Sequence, residues 1–178
     1  LDELRSVSVS ATLRPRFETT QEMLERMADI LNDIKWFVSP TESPTVSPNS
    51  VIEHTVRLAN HRISHLTTIN LRLNPVGRIS IPENRFGQAL LNLLFNAAES
   101  RKDSQSECSI EIETHMLNEY TVEIVVTDNG KGMSSQMKDR IFEPFFTTKP
   151  MGTGLGLAIC HQMVSEAGGS IQVESTPE

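Results

Sequence analysis

The chain has 178 residues, 16 Lys and Arg against 23 Asp and Glu, a net charge of -7, and 38% hydrophobic and 22% charged content; this suits one domain with a short appendage and excludes a wholly disordered chain. Residues 1–49 carry 5 basic and 8 acidic side chains and residues 50–178 carry 11 and 15, so neither part offers the basic footprint of a nucleic-acid binder and no nucleic acid is expected as a partner. No apolar run approaches the roughly 20 residues of a membrane-spanning helix, and Cys108 and Cys160 have no metal-ligand spacing, which suggests two free thiols rather than a disulfide framework.

The N-terminus, Leu1-Asp2-Glu3-Leu4, has neither an initiator Met nor a signal-peptide pattern. The expectation is a piece of a longer protein, with any membrane segment outside these residues. Residues 17–38 read as one helix. Phe17, Thr20, Leu24, Met27, Leu31, Ile34 and Val38 recur in alternating steps of three and four, an a/d seam. Met23, Ile30 and Phe37 widen the stripe to a width that suits a four-helix bundle. The plainer alternative is a helix packed on its own domain. Pro40, Pro44 and Pro48, set among Ser and Thr, mark residues 39–49 as an extended linker. The expected organisation is therefore a partial helical segment over 1–38, a linker over 39–49 and a domain over 50–178.

Within that domain, Ser50 is expected to cap a helix running to about Ser64, with Glu53 in the capping-box position. Leu66–Leu73 reads as a strand and Arg78–Ile81 as a short one. Pro82 opens a helix over Glu83–Arg101. Cys108, Ile110, Ile112 and Thr114 alternate with polar residues, the pattern of a half-buried strand. Tyr120–Thr127 is another strand. A helix is expected over Gly154–Ala167, ended by Gly168-Gly169, then a strand over Ser170–Ser175. The fold class is α+β: a two-layer α/β sandwich in which helices cover one face of a mixed or mostly antiparallel sheet, preceded by a bundle-forming helix.

Four stretches carry candidate chemistry. On the helix over 83–101, Phe86, Leu90, Leu93, Leu94 and Ala97 share one arc; Gln88, Asn92, Asn96 and Glu99 share the opposite one. That polar arc is either a solvated face or a wall of carboxamide oxygens suited to a hard cation such as Mg²⁺. Val125 to Met133 ends a β-branched strand in Asp128, followed by Gly130 and Gly132. It is either a turn or a carboxylate set to accept from an exocyclic amine. Gly152-Thr153-Gly154-Leu155-Gly156-Leu157 leads into a helix N-terminus, whose free amides suit a polyphosphate; it is neither a P-loop nor a dinucleotide fingerprint. Ile141 to Pro150, with Phe142, Phe145, Phe146 and Lys149, is either a loop anchor or a lid with an aromatic hinge and a cation.

In this order, the four stretches resemble the successive nucleotide-binding boxes of the catalytic ATP-binding domain of sensor histidine kinases, in the GHKL ATPase superfamily. The resemblance covers about residues 50–176 and is most specific over Phe142–Gly156. It implies the GHKL fold, with ATP and Mg²⁺ as cofactors. It implies catalytic roles for Asn92, Asn96 and Lys149, with Asn96 as the metal ligand. It implies that Asp128 accepts from the adenine amine, beside Gly130 and Gly132. Phe142, Phe145 and Phe146 are implied as lid packing, with Phe142 and Phe146 near the nucleotide. Gly152, Thr153, Gly154, Leu155 and Gly156 are implied to meet the triphosphate. The helix over 17–38 resembles the second helix of that family's dimerisation and phosphotransfer domain. Glu99 departs from relatives that place a Lys near this position, which leaves Lys149 as the main side-chain cation.

The family's acceptor His is followed by an acidic residue. Here His54, His61, His65, His115 and His161 all lack that neighbour, so the acceptor is expected upstream of Leu1. The implied partners are a response regulator receiver domain or a phosphotransfer domain, and a second copy of the parent protein paired through the bundle helices. The implied location is cytoplasmic, with a parent in the bacterial inner membrane. The competing expectation is a nucleotide-gated pseudokinase or interaction module that transfers no phosphoryl group.

Overall fold

The computed structural model describes residues 17, 20, 24, 45–65, 67–101, 108–149 and 152–177. The chain divides into two units, Leu1–Ser39 and Pro40–Glu178. In the first, Phe17, Thr20 and Leu24 are helical and exposed. The remaining seam positions, Met27, Leu31, Ile34 and Val38, and their neighbours Met23, Ile30 and Phe37, lie outside the described residues.

The second unit runs α1 (Pro48–Ile63), β1 (Thr67–Leu73), α2 (Glu83–Glu99), β2 (Cys108–Asn118), β3 (Thr121–Asp128), α3 (Ser135–Lys138) and α4 (Gly156–Glu166). The sheet has the order β1-β2-β3. β1 runs parallel to β2, from Thr67 opposite Cys108 to Leu73 opposite Thr114. β3 runs antiparallel to β2, with Asp128 opposite Ile110 and Val126 opposite Ile112. The mixed sheet with helices is the expected α+β architecture.

Period explains the layering. Along β2, Cys108, Ile110, Ile112 and Thr114 are buried while Ser109, Glu111, Glu113 and His115 are less so. The wetter face carries ion pairs, Arg72 Nε to Glu111 Oε1 at 2.8 Å among them. The helices bury complementary stripes: Val51, Ile52, Val56, Ala59 and Ile63 on α1; Phe86, Ala89, Leu90, Leu94 and Ala97 on α2; Ala158, Ile159, Cys160 and Met163 on α4. α2 packs against α1, α4, β2 and β3. Full burial of Leu90, Leu94, Ile110 and Ile112 contributes about 1.5–3 kcal/mol each.

Several boundaries differ from expectation. α1 begins at Pro48, not Ser50, and Ser47 rather than Ser50 is the N-cap residue. Proline's fixed φ suits the first helical position, and its missing donor is not needed there. The end of the expected linker belongs to the folded unit. Val46 is buried and exchanges backbone hydrogen bonds of 2.9 Å with Ile79 in both directions. That bridge is all that forms of the expected strand over Arg78–Ile81. Residues 170–175 form no strand. α3 is a four-residue turn of helix that the periodicity did not signal, capped by the Ser134 side chain accepting from the Met137 amide. Cys108 and Cys160 are buried and form no disulfide; their thiols donate to the Ala97 and Ala89 carbonyl oxygens at 3.6 and 3.5 Å.

Candidate functional site

One arc of α2 organises the site. Leu90, Leu94 and Ala97 face the core, which turns Asn92, Asn96 and the capping Ser100 outward at successive turns. Each of the three meets a different segment. Asn92 Nδ2 donates to the Gly156 carbonyl oxygen at 3.4 Å, at the start of α4. Asn96 Oδ1 accepts from Lys149 Nζ at 2.7 Å. Ser100 Oγ lies 2.9 Å from Asp128 Oδ1, at the end of β3. Segments far apart in the chain therefore meet along about eight residues of helix, which span roughly 12 Å.

Asp128 is held by local geometry. Its Oδ1 also accepts from the Gly130 amide at 2.9 Å. Its Oδ2 has no protein partner among the described residues, so one carboxylate oxygen is available for a donor. Gly130 fits here because a Cβ would lie 1.9 Å from Ser100 Oγ. Gly132 has φ +67°, and its missing Cβ is matched by the Thr176 carbonyl oxygen at 2.1 Å, so its close approach is to the chain's own C-terminal stretch. Met133 N donates to Ser175 Oγ at 2.9 Å in the same region.

Residues 142–149 and 152–156 approach the arc through Lys149 and Gly156. Phe145 takes φ 68°, strained for a non-glycine residue, and is 74% exposed. Its amide donates to the Gly154 carbonyl oxygen at 2.9 Å. Gly154 has φ +69°, and a Cβ there would come within 2.4 Å of the Phe145 carbonyl carbon. Phe146 lies under the Arg140 guanidinium at 4.4 Å, and Phe142 is tilted against His161 at 5.0 Å between centroids. Phe142 and Phe146 are thus aromatic anchors of the loop. The Gly152 amide donates to the Lys149 carbonyl oxygen at 3.1 Å, and Leu155 N donates to Thr153 Oγ1 at 3.3 Å. The amides of Gly154 and Gly156 donate to no protein atom among the described residues. Gly156 opens α4, so its amide stands at the positive end of the helix dipole.

Lys149 Nζ is also 2.6 Å from Glu99 Oε2. Asn96 and Glu99 therefore already hold one cation between two hard oxygens. Among the described residues no group of three or more His, Cys, Asp or Glu is placed to hold a metal. A divalent ion here would complete its shell with phosphate oxygens and water, as Mg²⁺ prefers, and the donors present fit that chemistry.

Gln88 is not part of this arrangement. It lines a groove of about 610 Å³ between α1 and α2, with Val51, His54, Leu58 and Leu91, and that groove contains none of Asn92, Asn96 or Ser100. Ser100 joins this cluster through Asp128, and the sequence pattern did not single it out. Its signal was present: it lies one further turn along the arc of Asn92 and Asn96.

The family described as histidine kinase-, DNA gyrase B-, and HSP90-like ATPase matches residues 82–178. The chain is 34% identical over 156 residues to the sensor histidine kinase ZraS of Escherichia coli (strain K12), covering 85% of this chain and 32% of that protein. It is 32% identical over 173 residues to the C4-dicarboxylate transport sensor protein DctB of Rhizobium meliloti (strain 1021), covering 94% of this chain and 27% of that protein. The chain thus spans about a third or less of these relatives. The solved structure of the mycobacterial sensor histidine kinase MprB superposes with a TM-score of 0.62 at 28% identity, covering 71% of this chain and 80% of that one.

Proposed function

Because the chain belongs to the histidine kinase-, DNA gyrase B-, and HSP90-like ATPase family, as the ATP-binding domain of a sensor histidine kinase, we propose that it binds ATP along the polar arc of α2 and serves transfer of the γ-phosphoryl group to a histidine of its parent protein. The observation that carries this reading is the arc itself: Asn92, Asn96 and Ser100 reach the glycine loop, Lys149 and Asp128 in turn.

Each contact supports a role. Asp128 Oδ2 accepts from the exocyclic amine of adenine, while Ser100 and the Gly130 amide steady Oδ1. The free amides of Gly154 and Gly156, at the N-terminus of α4, meet phosphate oxygens, with Gly152, Thr153 and Leu155 shaping the loop. Asn96 Oδ1 would hold Mg²⁺, with Asn92 in support one turn away. Magnesium, when bound, supplies neutralisation of the phosphate charge. Lys149 adds an ammonium group on the same side. The protein's part in the reaction is positioning and charge compensation, the main demands of phosphoryl transfer.

In the parent protein, residues 17–38 belong to the dimerisation and phosphotransfer domain as its second helix, the stretch before Thr45 is the linker, and two copies pair through their bundle helices. The acceptor histidine lies on a preceding helix. A response regulator receiver domain or phosphotransfer domain takes the phosphoryl group onward. No helix among the described residues is long and apolar enough to cross a membrane, and we assign this domain to the cytoplasmic side.

Calorimetric titration with ATP, with and without Mg²⁺, tests the binding reading. Saturable, Mg²⁺-enhanced binding is expected, with GTP binding poorly. Equal affinities for ATP and GTP would count against Asp128 as the base reader. Radiolabel transfer in the parent protein tests the chemistry: acid-labile phosphohistidine is the expected product, and nucleotide binding without label would favour the non-transferring module.

A further inference from the structure

We propose that Lys149 is a displaceable latch: without nucleotide its ammonium group occupies the acceptor pair of Asn96 and Glu99, and the divalent cation that arrives with the nucleotide takes Asn96 in its place and releases Lys149 to the phosphates. This rests on the reading above that a metal–nucleotide complex binds at Asn96.

The geometry requires an exchange. Lys149 Nζ sits 2.7 Å from Asn96 Oδ1 and 2.6 Å from Glu99 Oε2. A divalent cation ligated by that same carboxamide oxygen would stand within a few ångströms of the ammonium, and like charges that close repel. The two occupancies exclude each other.

The latch is also weak enough to open. The side chains of Lys149 and Glu99 are 38% and 56% exposed, so water screens their attraction. A triphosphate offers Lys149 more negative charge than the single carboxylate it leaves. Glu99 acts here as a positioning residue that helps hold the lysine on Asn96 until that charge arrives. The loop reports the state of the latch through two amides. Gly152 N donates to the Lys149 carbonyl oxygen, and Phe145 N donates to the Gly154 carbonyl oxygen. Both bonds lie in the segment that Lys149 ties to α2.

The experiment pairs hydrogen exchange with calorimetry on wild type, Glu99→Gln and Lys149→Met. In the nucleotide-free protein, both variants should exchange the Gly152 and Phe145 amides faster than wild type. Lys149→Met removes both contacts and Glu99→Gln only the ion pair, so the variant carrying both substitutions should exchange no faster than Lys149→Met alone. Affinity for Mg²⁺ with a non-hydrolysable ATP analogue should rise in Glu99→Gln by about two- to fivefold, because a competing surface pair is lost. It should fall in Lys149→Met, which loses the phosphate cation as well as the latch. Unchanged exchange in Glu99→Gln, or a lower affinity than wild type, would overturn the latch and make Glu99 a bystander or a metal ligand. Failure of the wild type to bind the analogue would instead overturn the nucleotide reading on which the latch rests.

Discussion

Ser100 Oγ lies 2.9 Å from Asp128 Oδ1, joining the C-cap of α2 to the last residue of β3. The same hydroxyl lies 2.7 Å from the Ala97 carbonyl oxygen. One hydroxyl proton serves two acceptors, so the position is poised between closing the helix and steadying the carboxylate. Ser100→Ala should weaken ATP binding by about 1 kcal/mol, close to fivefold, with the fold retained. Calorimetry and thermal unfolding check both parts. Unaltered affinity would leave Ser100 as a helix cap alone.

Asp128→Asn should act more strongly on the ligand. It exchanges a charged acceptor for an amide that can present a donor to the adenine amine. The expected loss is about 1.5–3 kcal/mol, roughly 10- to 160-fold in affinity. Competition with a fluorescent ATP analogue measures it, and a change under threefold would remove Asp128 from the base-binding role.

Two glycines separate backbone strain from contact. Gly154 and Gly168 both have positive φ, +69° and +77°, but only Gly154 has backbone where a Cβ would go; nothing lies within 4 Å of one at Gly168. Gly168→Ala should lower stability by about 1 kcal/mol, the strain alone. Gly154→Ala adds a clash with Phe145 and should also disturb the nearby amides proposed to meet phosphate. Thermal unfolding should rank Gly154→Ala below Gly168→Ala, and only the former should weaken nucleotide binding. Equal effects would contradict the rigid Phe145–Gly154 contact.

Arg85 Nη1 pairs with Glu166 Oε2 at 3.0 Å, linking the start of α2 to the end of α4. The side chains are 10% and 46% exposed. Glu166→Ala leaves a buried guanidinium without this carboxylate, yet water reaches the vacated side. The expected destabilisation is about 1–2 kcal/mol, below the 3–5 kcal/mol of a fully buried pair. Urea unfolding reads it directly, and a midpoint equal to wild type would show that Arg85 relies on its other contacts.

The helices and central strand were legible because their burial is periodic. Leu90 and Leu94 on one arc of α2, and Cys108, Ile110 and Ile112 on alternate positions of β2, announce their faces without any partner being known. The site was legible in part, since the order of Asn92 and Asn96, Asp128, Phe142–Lys149 and Gly152–Gly156 carried the family resemblance. The extent of the folded unit was less so. Pro48 belongs to α1 and Val46 pairs with Ile79, although their neighbours read as linker. Residues 170–175 alternate like a strand yet form none, because a strand exists only where another backbone completes its ladder.

Composition, period and local chemistry by themselves determined the α+β class, the apolar faces and the residue types able to meet a base, a metal and phosphates. Tertiary structure alone decided which of them meet. That Lys149 reaches back 53 and 50 residues to Asn96 and Glu99, that Ser100 meets Asp128, and that Gly132 packs on Thr176 rather than standing open depend on how α2 lies against β3 and the loop before α4. Periodicity specifies which side of an element is buried. It does not specify which distant side chain lies across the remaining polar side, because that distance is set by packing of the whole core.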